Sequence, residues 1–137
     1  MKKTFNDIRL GDRASVKKTI YENDVDTFAK ISGDINPVHL DKDFAESTRF
    51  KQRIAHGMLI GSLISAVLGT EMPGPGTIYL SQHLNFKAPV FFGDTITTEV
   101  EVIEKFEEKH WLRLKTSCSN QSGKIVLDGE AMVVYSV

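Results

Sequence analysis

The hydrophobic residues follow a helical spacing in the first half of the chain. Over residues 22–31 they recur three or four positions apart, and acidic residues come early, near the positive end of a helix dipole. Residues 41–48 predict a second, short helix. Residues 56–71 are apolar on nearly every side, which predicts a long helix that other structure surrounds.

The spacing changes to a strand period of two after a turn rich in proline and glycine. Apolar and polar residues alternate along 96–102 and 112–118, so each segment predicts a strand with one solvent-facing side. Three further strands are predicted at 13–20, 78–86 and 124–136. An antiparallel sheet wrapped around the apolar helix accommodates both patterns. We therefore predict an α+β chain that forms a single hot-dog domain over residues 1–137.

Composition and charge narrow the range of functions. The chain has 137 residues, 41% hydrophobic and 26% charged, which suits one globular domain. Its formal net charge of −1 supplies no basic surplus, so we expect no nucleic-acid partner. The apolar segment 57–70 is shorter than the roughly 20 residues that a spanning helix needs, so we expect no membrane association. The single Cys118 excludes an internal disulfide, and the N-terminus lacks an apolar leader, which predicts a cytoplasmic protein.

The segment after the first predicted helix carries the candidate chemistry. Pro37 keeps Asn36 out of the helical conformation, which predicts a tight, non-repeating loop over residues 33–38. The loop presents Asp34 and His39, a carboxylate and an imidazole that together can transfer protons near neutral pH. Their spacing alone leaves a second interpretation open, in which Asp34 caps a helix end and His39 lies inert on the surface.

The motif FAKISGDINPVH, residues 28–39, resembles the signature of the MaoC-like R-specific enoyl-CoA hydratases. The likeness continues through RIAHGML at 53–59 and FKAPVFFGD at 86–94. The resemblance implies that Asp34 and His39 are the catalytic pair and that Asn36 shapes the loop. It also implies R-specific hydration of a trans-2-enoyl-CoA to an R-3-hydroxyacyl-CoA, which needs no cofactor and can feed hydroxyalkanoate synthesis or fatty-acid breakdown.

Hydration of an enoyl thioester also requires support for negative charge on the thioester oxygen. Gly57 begins the long predicted helix, where unpaired backbone N–H groups and the positive end of the helix dipole can supply that support. Its single hydrogen lets an oxygen approach closely. A glycine that merely permits the helix to start is the alternative, and the resemblance favours the oxyanion role for Gly57.

Small residues recur every four positions after Gly57, at Gly61, Ser65 and Gly69. This stripe predicts that something approaches the helix closely along one side, either a packed strand or the reacting thioester. We predict strand packing at Gly61 and Gly69. Ser65 is expected to hydrogen-bond the Asp34 carboxylate, since the family places a serine with that role at the matching position.

The remaining histidines and the cysteine show no metal-ligand spacing, so no metal site is expected. We predict that His56 is packed or bonded to backbone, that His83 and His110 lie on the surface, and that Cys118 is a core residue.

The expected partner is an acyl-CoA, although the carrier could also be an acyl carrier protein. Lys51, Arg53 and Lys87 lie near the motifs and either bind coenzyme A phosphates or remain solvated. An open sheet edge predicts a homodimer. Three other functions stay open: a non-catalytic acyl-CoA-binding module, a thioesterase, and a hydro-lyase for branched or dicarboxylic acyl-CoA.

Overall fold

The computed structural model describes residues 3–137 and contains one antiparallel sheet and four α-helices. The helices are α1 (Glu22–Ser32), α2 (Pro37–Leu40), α3 (Lys42–Glu46) and α4 (Gly57–Thr70). The strands are β1 (Arg13–Thr19), β2 (Ile78–Phe86), β3 (Thr95–Phe106), β4 (Trp111–Ser119) and β5 (Ile125–Val134). They lie in the order β1-β3-β4-β5-β2, and every neighbouring pair is antiparallel. All five predicted strands are therefore present, and β3 extends beyond its predicted end at residue 102.

The core lies between the inner face of the sheet and one side of α4. Every second residue of β4 and of the first part of β3 is buried, which confirms the predicted alternation. Thr98 pairs with Cys118 and Val102 pairs with Leu114, so the two strands present the same face to the helix. The core residues that α4 contributes are Leu59, Ile60, Ile64, Val67 and Leu68.

The other side of α4 is open in the single chain, so the sheet covers less of the helix than its apolar residues predict. Met58 is 58% exposed, and Ser62 and Ser65 are also exposed. The sheet ends at the edge strand β2, which leaves a groove of about 480 Å³ beside the helix. This α4–β2 groove is lined by Phe28, Met58, Gly61, Ser62, Ser65, Tyr79, Leu80, Ser81, Gln82 and Leu84.

The segment between α1 and α4 is more helical than predicted. The expected loop over residues 33–38 ends at Asn36, because Pro37 starts α2 and the Asn36 side chain accepts a hydrogen bond from the backbone N–H of Val38. Proline is favoured at the first position of a helix, and asparagine is a strong N-cap. The helix predicted over 41–48 is shorter and spans α3 only, with the Asp41 side chain as its cap.

Among residues 3–137, none of the helices combines the length and the apolar character needed to cross a bilayer.

Candidate active site

A cavity of about 470 Å³ lies at the N-terminal end of α4. Its polar lining comes from the segment before α2, from α2 itself, from the turn after α3, from the residue before α4 and from the residue after β2. These polar residues are Asp34, His39, Arg49, His56 and Lys87. The rest of the lining is Gly57 and the apolar residues Phe50, Ile54, Ala55, Met58, Ile60, Phe86, Ala88, Pro89, Val90, Val126 and Leu127. The cavity can thus hold an apolar chain next to a small group of acid–base residues.

Asp34 lies in the short loop between α1 and α2. Gly33 ends α1 in the left-handed conformation, with a φ of 78°, and so turns the chain toward the cavity. The Asp34 carboxylate accepts a hydrogen bond from the backbone N–H of Asn36 at 3.2 Å, and the Asn36 side chain in turn caps α2. The carboxylate is exposed and the loop is fixed by local hydrogen bonds. Asn36 therefore has the loop-shaping position that the sequence predicted.

His39 lies on α2 and is only 8% exposed, so the alternative interpretation that places it on the surface is wrong. Its Nδ1 is 2.8 Å from the carbonyl oxygen of Ile54. Because a carbonyl oxygen can only accept, Nδ1 carries the proton and Nε2 of the neutral ring keeps a lone pair. Burial lowers the pKa of His39, and His56 adds to this, while the Ile54 hydrogen bond and Asp34 act in the opposite direction. The neutral ring is therefore a proton acceptor next to a carboxylate.

Arg53 holds the backbone of His39. Its Nε donates a hydrogen bond to the His39 carbonyl oxygen at 2.6 Å, and its terminal nitrogens bond to Glu22 at 2.6 Å and Asp26 at 3.0 Å. The guanidinium also lies 4.8 Å from the ring centroid of Phe92. Through these contacts the guanidinium joins α2 to α1. The structure therefore favours a supporting role for Arg53 over binding of coenzyme A phosphates.

His56 is 1% exposed, as predicted for a packed histidine. Its Nε2 lies 2.9 Å from the backbone carbonyl oxygen of Asp34, and its ring centroid lies 3.9 Å from that of His39. Asp34, His39 and His56 each offer one potential metal-ligating atom, and these atoms lie within 4.8 Å of one another. Of the residues considered for a metal site from the sequence, only His56 belongs to this cluster, and His83, His110 and Cys118 lie outside it. The acid–base chemistry proposed below uses Asp34 and His39 without a metal.

Gly57 is the first residue of α4 and lines the cavity. The backbone N–H groups of Leu59 and Ile60 bond to the carbonyl oxygen of His56, whereas within residues 3–137 those of Gly57 and Met58 make no hydrogen bond and can donate to a ligand. A methyl group on Gly57 would lie 2.7 Å from Cε1 of Phe86, so no side chain fits there without movement of that ring. The position is compatible with the predicted oxyanion role.

A model of the MaoC-like domain matches residues 8–119 of the chain. The chain belongs to the MaoC-like family. An (R)-specific enoyl-CoA hydratase of Rhodospirillum rubrum is 52% identical over 130 residues, which cover 95% of this chain and 90% of that protein.

Solved structures support the same assignment. The unliganded R-hydratase PhaJ1 of Pseudomonas aeruginosa superposes with a TM-score of 0.92 at 49% identity, over 97% of this chain and 85% of that one. The (R)-hydratase of A. caviae involved in PHA biosynthesis superposes with a TM-score of 0.91 at 44% identity, over 93% of this chain and 97% of that one. The predicted hot-dog fold is thereby confirmed.

The small-residue stripe of this MaoC-like protein does not continue along the cavity. Gly61 faces Cδ1 of Leu84 on β2, where an added methyl group would lie 3.2 Å from that atom, which confirms strand packing. Nothing lies within 4 Å of such a group at Gly69, so the packing predicted there is wrong. Ser65 lines the α4–β2 groove, and within residues 3–137 its hydroxyl makes no hydrogen bond to Asp34. The predicted hydrogen bond from Ser65 to Asp34 is therefore absent from this part of the chain.

The positively charged residues that line the cavity differ from those predicted. Of the three predicted cations, Lys87 lines the cavity, whereas Lys51 does not. Arg49 lines it as well and was missed, although its position just after α3 in a motif-rich region could have identified it.

Two of the remaining predictions are confirmed and one is wrong. Cys118 is fully buried and His83 is exposed, as predicted. His110 is half-buried and stacks on Phe5 with ring centroids 4.3 Å apart, so the prediction of a surface residue is wrong.

Proposed function

We propose that this protein is a hydro-lyase that adds water across the C2–C3 double bond of a trans-2-enoyl-CoA and forms the R-3-hydroxyacyl-CoA. The observation that carries the proposal is the pairing of Asp34 with a buried His39 whose Nδ1 is bound to Ile54. This pair lies in an apolar cavity beside Gly57. The (R)-specific hydratase of Rhodospirillum rubrum, half of whose matched residues are identical to this chain, supports the choice of reaction and product hand.

The chemistry follows from which groups can move protons. The Asp34 carboxylate and the His39 Nε2 lone pair are both acceptors, and the Nδ1 proton of His39 is engaged with the Ile54 carbonyl oxygen. One of the two acceptors takes a proton from water as the water oxygen bonds to C3. The pair then delivers a proton to C2, so the two groups end the cycle as they began. Negative charge that develops on the thioester oxygen is stabilised by the N–H groups at the start of α4, next to Gly57.

The carrier of the acyl chain is proposed to be coenzyme A, with an acyl carrier protein as the alternative. Both present phosphate on a pantetheine arm, and Arg49 and Lys87 supply positive charge at the cavity. The relation to the A. caviae hydratase of PHA biosynthesis supports a place in hydroxyalkanoate synthesis. A cytoplasmic location remains the prediction made from cysteine usage.

We propose that the active form is a homodimer in which β2 meets β2 of a second copy. The two edge strands differ in character. β1 carries Arg13, Lys17 and Lys18, and charged edges resist pairing. On β2, Ile78 is 61% exposed and Leu80 is 44% exposed, and the α4–β2 groove adjoins that strand.

Light scattering tests the dimer. Wild type should have a mass near twice 15.3 kDa. A charge on the β2 edge, Leu80→Lys, should shift the protein toward monomer, whereas Val16→Lys on β1 should not. A monomeric wild type would overturn this part of the proposal.

Incubation with crotonyl-CoA tests the reaction itself. Loss of alkene absorbance without release of free thiol, with an R-3-hydroxy product on chiral analysis, is the expected result. Thiol release would instead identify a thioesterase, and an S product would overturn the stereochemical assignment. Absence of both changes, with crotonyl-CoA binding intact, would favour the acyl-CoA-binding module. Hydration of a branched or dicarboxylic enoyl-CoA in place of crotonyl-CoA would identify the alternative hydro-lyase.

A further inference from the structure

His56 contacts each part of the proposed catalytic machinery. It is 1% exposed and directly precedes Gly57, the first residue of α4. Its ring lies 3.9 Å from the ring of His39, centroid to centroid, and 4.9 Å from that of Phe28. A side chain in this position can affect the geometry of both acid–base groups.

The hydrogen bond from His56 connects Asp34 to a residue that is distant along the chain. Within residues 3–137, the other hydrogen bonds of Asp34 go to Ser32 and Asn36, each two positions away along the chain. The His56 Nε2 reaches the Asp34 carbonyl oxygen at 2.9 Å across 22 positions. Because that oxygen only accepts, Nε2 carries the proton and donates. The loop that bears Asp34 is therefore anchored to the start of α4 through this bond.

Packing alone does not account for an imidazole at this position. The other ring nitrogen of His56, Nδ1, is buried and has no hydrogen-bond partner in the part of the chain that the structure describes. A buried polar atom without a partner destabilises a fold, and an apolar ring could fill a similar space without that cost. The donor at Nε2 is the feature that an apolar ring would lose.

We propose that His56 is a positioning residue that sets the separation of the Asp34 carboxylate and the His39 imidazole. Its Nε2–H fixes the Asp34 backbone, and its ring limits the movement of the His39 ring. This inference rests on the proposed hydratase function and assigns to His56 a role in turnover rather than in substrate binding. Misplacement of a reacting group by about 1 Å can lower a rate by about 100-fold.

Substitution of His56 by glutamine or by asparagine distinguishes the effect of the Nε2–H donor from the effect of the size of the ring. The side-chain nitrogen of glutamine can occupy the place of Nε2, whereas that of asparagine reaches only as far as Nδ1. His56→Gln should therefore retain the bond to Asp34, and His56→Asn should lose it. We expect kcat for crotonyl-CoA to fall by about 10- to 100-fold in His56→Asn and by less than about 5-fold in His56→Gln. KM should change by less than about 3-fold in both variants.

The assay is run with chelator present, so that a metal on the Asp34, His39 and His56 cluster does not contribute. Rates are expressed per folded molecule, with the folded fraction taken from thermal melting. His110→Asn is the matched control, because His110 is also a stacked ring but lies against Phe5. It should lower stability and leave kcat unchanged.

The possible outcomes separate this inference from the proposed function. A wild-type protein that does not hydrate crotonyl-CoA would contradict the proposed function, and this inference with it. An active wild type with equal kcat in the Gln and Asn variants would overturn the positioning role alone. Loss of folding in both variants would assign His56 to packing and would also overturn it. A kcat near the wild-type value in His56→Gln and a reduced kcat in His56→Asn, at similar melting temperatures, would support the proposal.

Discussion

A methyl group on Gly57 tests whether the start of α4 receives the thioester oxygen. In Gly57→Ala, this group would lie 2.7 Å from Cε1 and 2.8 Å from Cδ1 of Phe86. Carbon atoms in contact are normally about 3.5–4.0 Å apart, so the ring must move by about 1 Å. Phe86 is 55% exposed and can move toward solvent. We therefore expect the variant to fold.

The consequences for stability and for turnover differ in size. Alanine is favoured over glycine in a helix by about 1 kcal/mol, which offsets the displacement of Phe86. The free energy of unfolding should thus change by less than about 1 kcal/mol. Loss of one oxyanion donor typically costs about 2.7–4 kcal/mol, or about 100- to 1,000-fold in kcat. A methyl group that obstructs the approach without removing the N–H should lower kcat by at least about 10-fold.

The assay is crotonyl-CoA hydration, with thermal melting measured in parallel. Gly69→Ala is the matched control, because it adds the same group to the same helix where nothing lies within 4 Å. It should keep wild-type kcat. The double variant Gly57→Ala/Phe86→Ala removes the steric conflict but keeps the methyl group. If it recovers full activity, the glycine serves only to accommodate Phe86, and the oxyanion assignment is refuted.

Three further predictions concern the pair, the carrier and the helix. Burial lowers the pKa of His39, so its neutral form persists as the pH falls. The acidic limb of the kcat/KM profile should therefore have its midpoint below the ordinary histidine pKa of about 6.5. A midpoint above that value would contradict a buried neutral base. The double variant Arg49→Ala/Lys87→Ala should raise KM for crotonyl-CoA by about 10-fold or more and leave KM for the N-acetylcysteamine thioester, which carries no phosphate, unchanged. An equal rise in KM for both substrates would exclude phosphate contacts. Ser65→Ala should change kcat by less than about 3-fold, because Ser65 lines the α4–β2 groove and makes no hydrogen bond to Asp34 within residues 3–137. A fall of about 10- to 100-fold, with Ser62→Ala unchanged, would show that a bond to Asp34 supports turnover.

The strands and the long helix were predictable because their signals are local. The alternation of buried and solvent-facing residues in β3 and β4 is a period of two that any sheet with one covered face imposes. The left-handed turn at Gly33 is equally local. The short helix α2 was not predicted, because Pro37 both keeps Asn36 out of the helical conformation and favours the first position of a helix, and the local sequence does not decide between the two effects.

The details of the site depend on tertiary packing and were less predictable. The motif identified Asp34 and His39, but the contact of both with His56 arises only when the start of α4 packs against the loop. Helical spacing grouped Ser65 with Gly57, yet the side of the helix that faces the cavity is decided by where β2 lies. No periodicity along the chain contains that information.

Turnover by Asp34→Asn is the most direct test of the central claim that the Asp34–His39 pair transfers the protons of hydration. The change is nearly isosteric and removes the carboxylate, while the fold and the cavity are kept. We predict that kcat for crotonyl-CoA falls by at least about 100-fold with an unchanged melting temperature, since an acid–base group typically contributes that much. Retention of more than about a tenth of wild-type turnover would contradict the account.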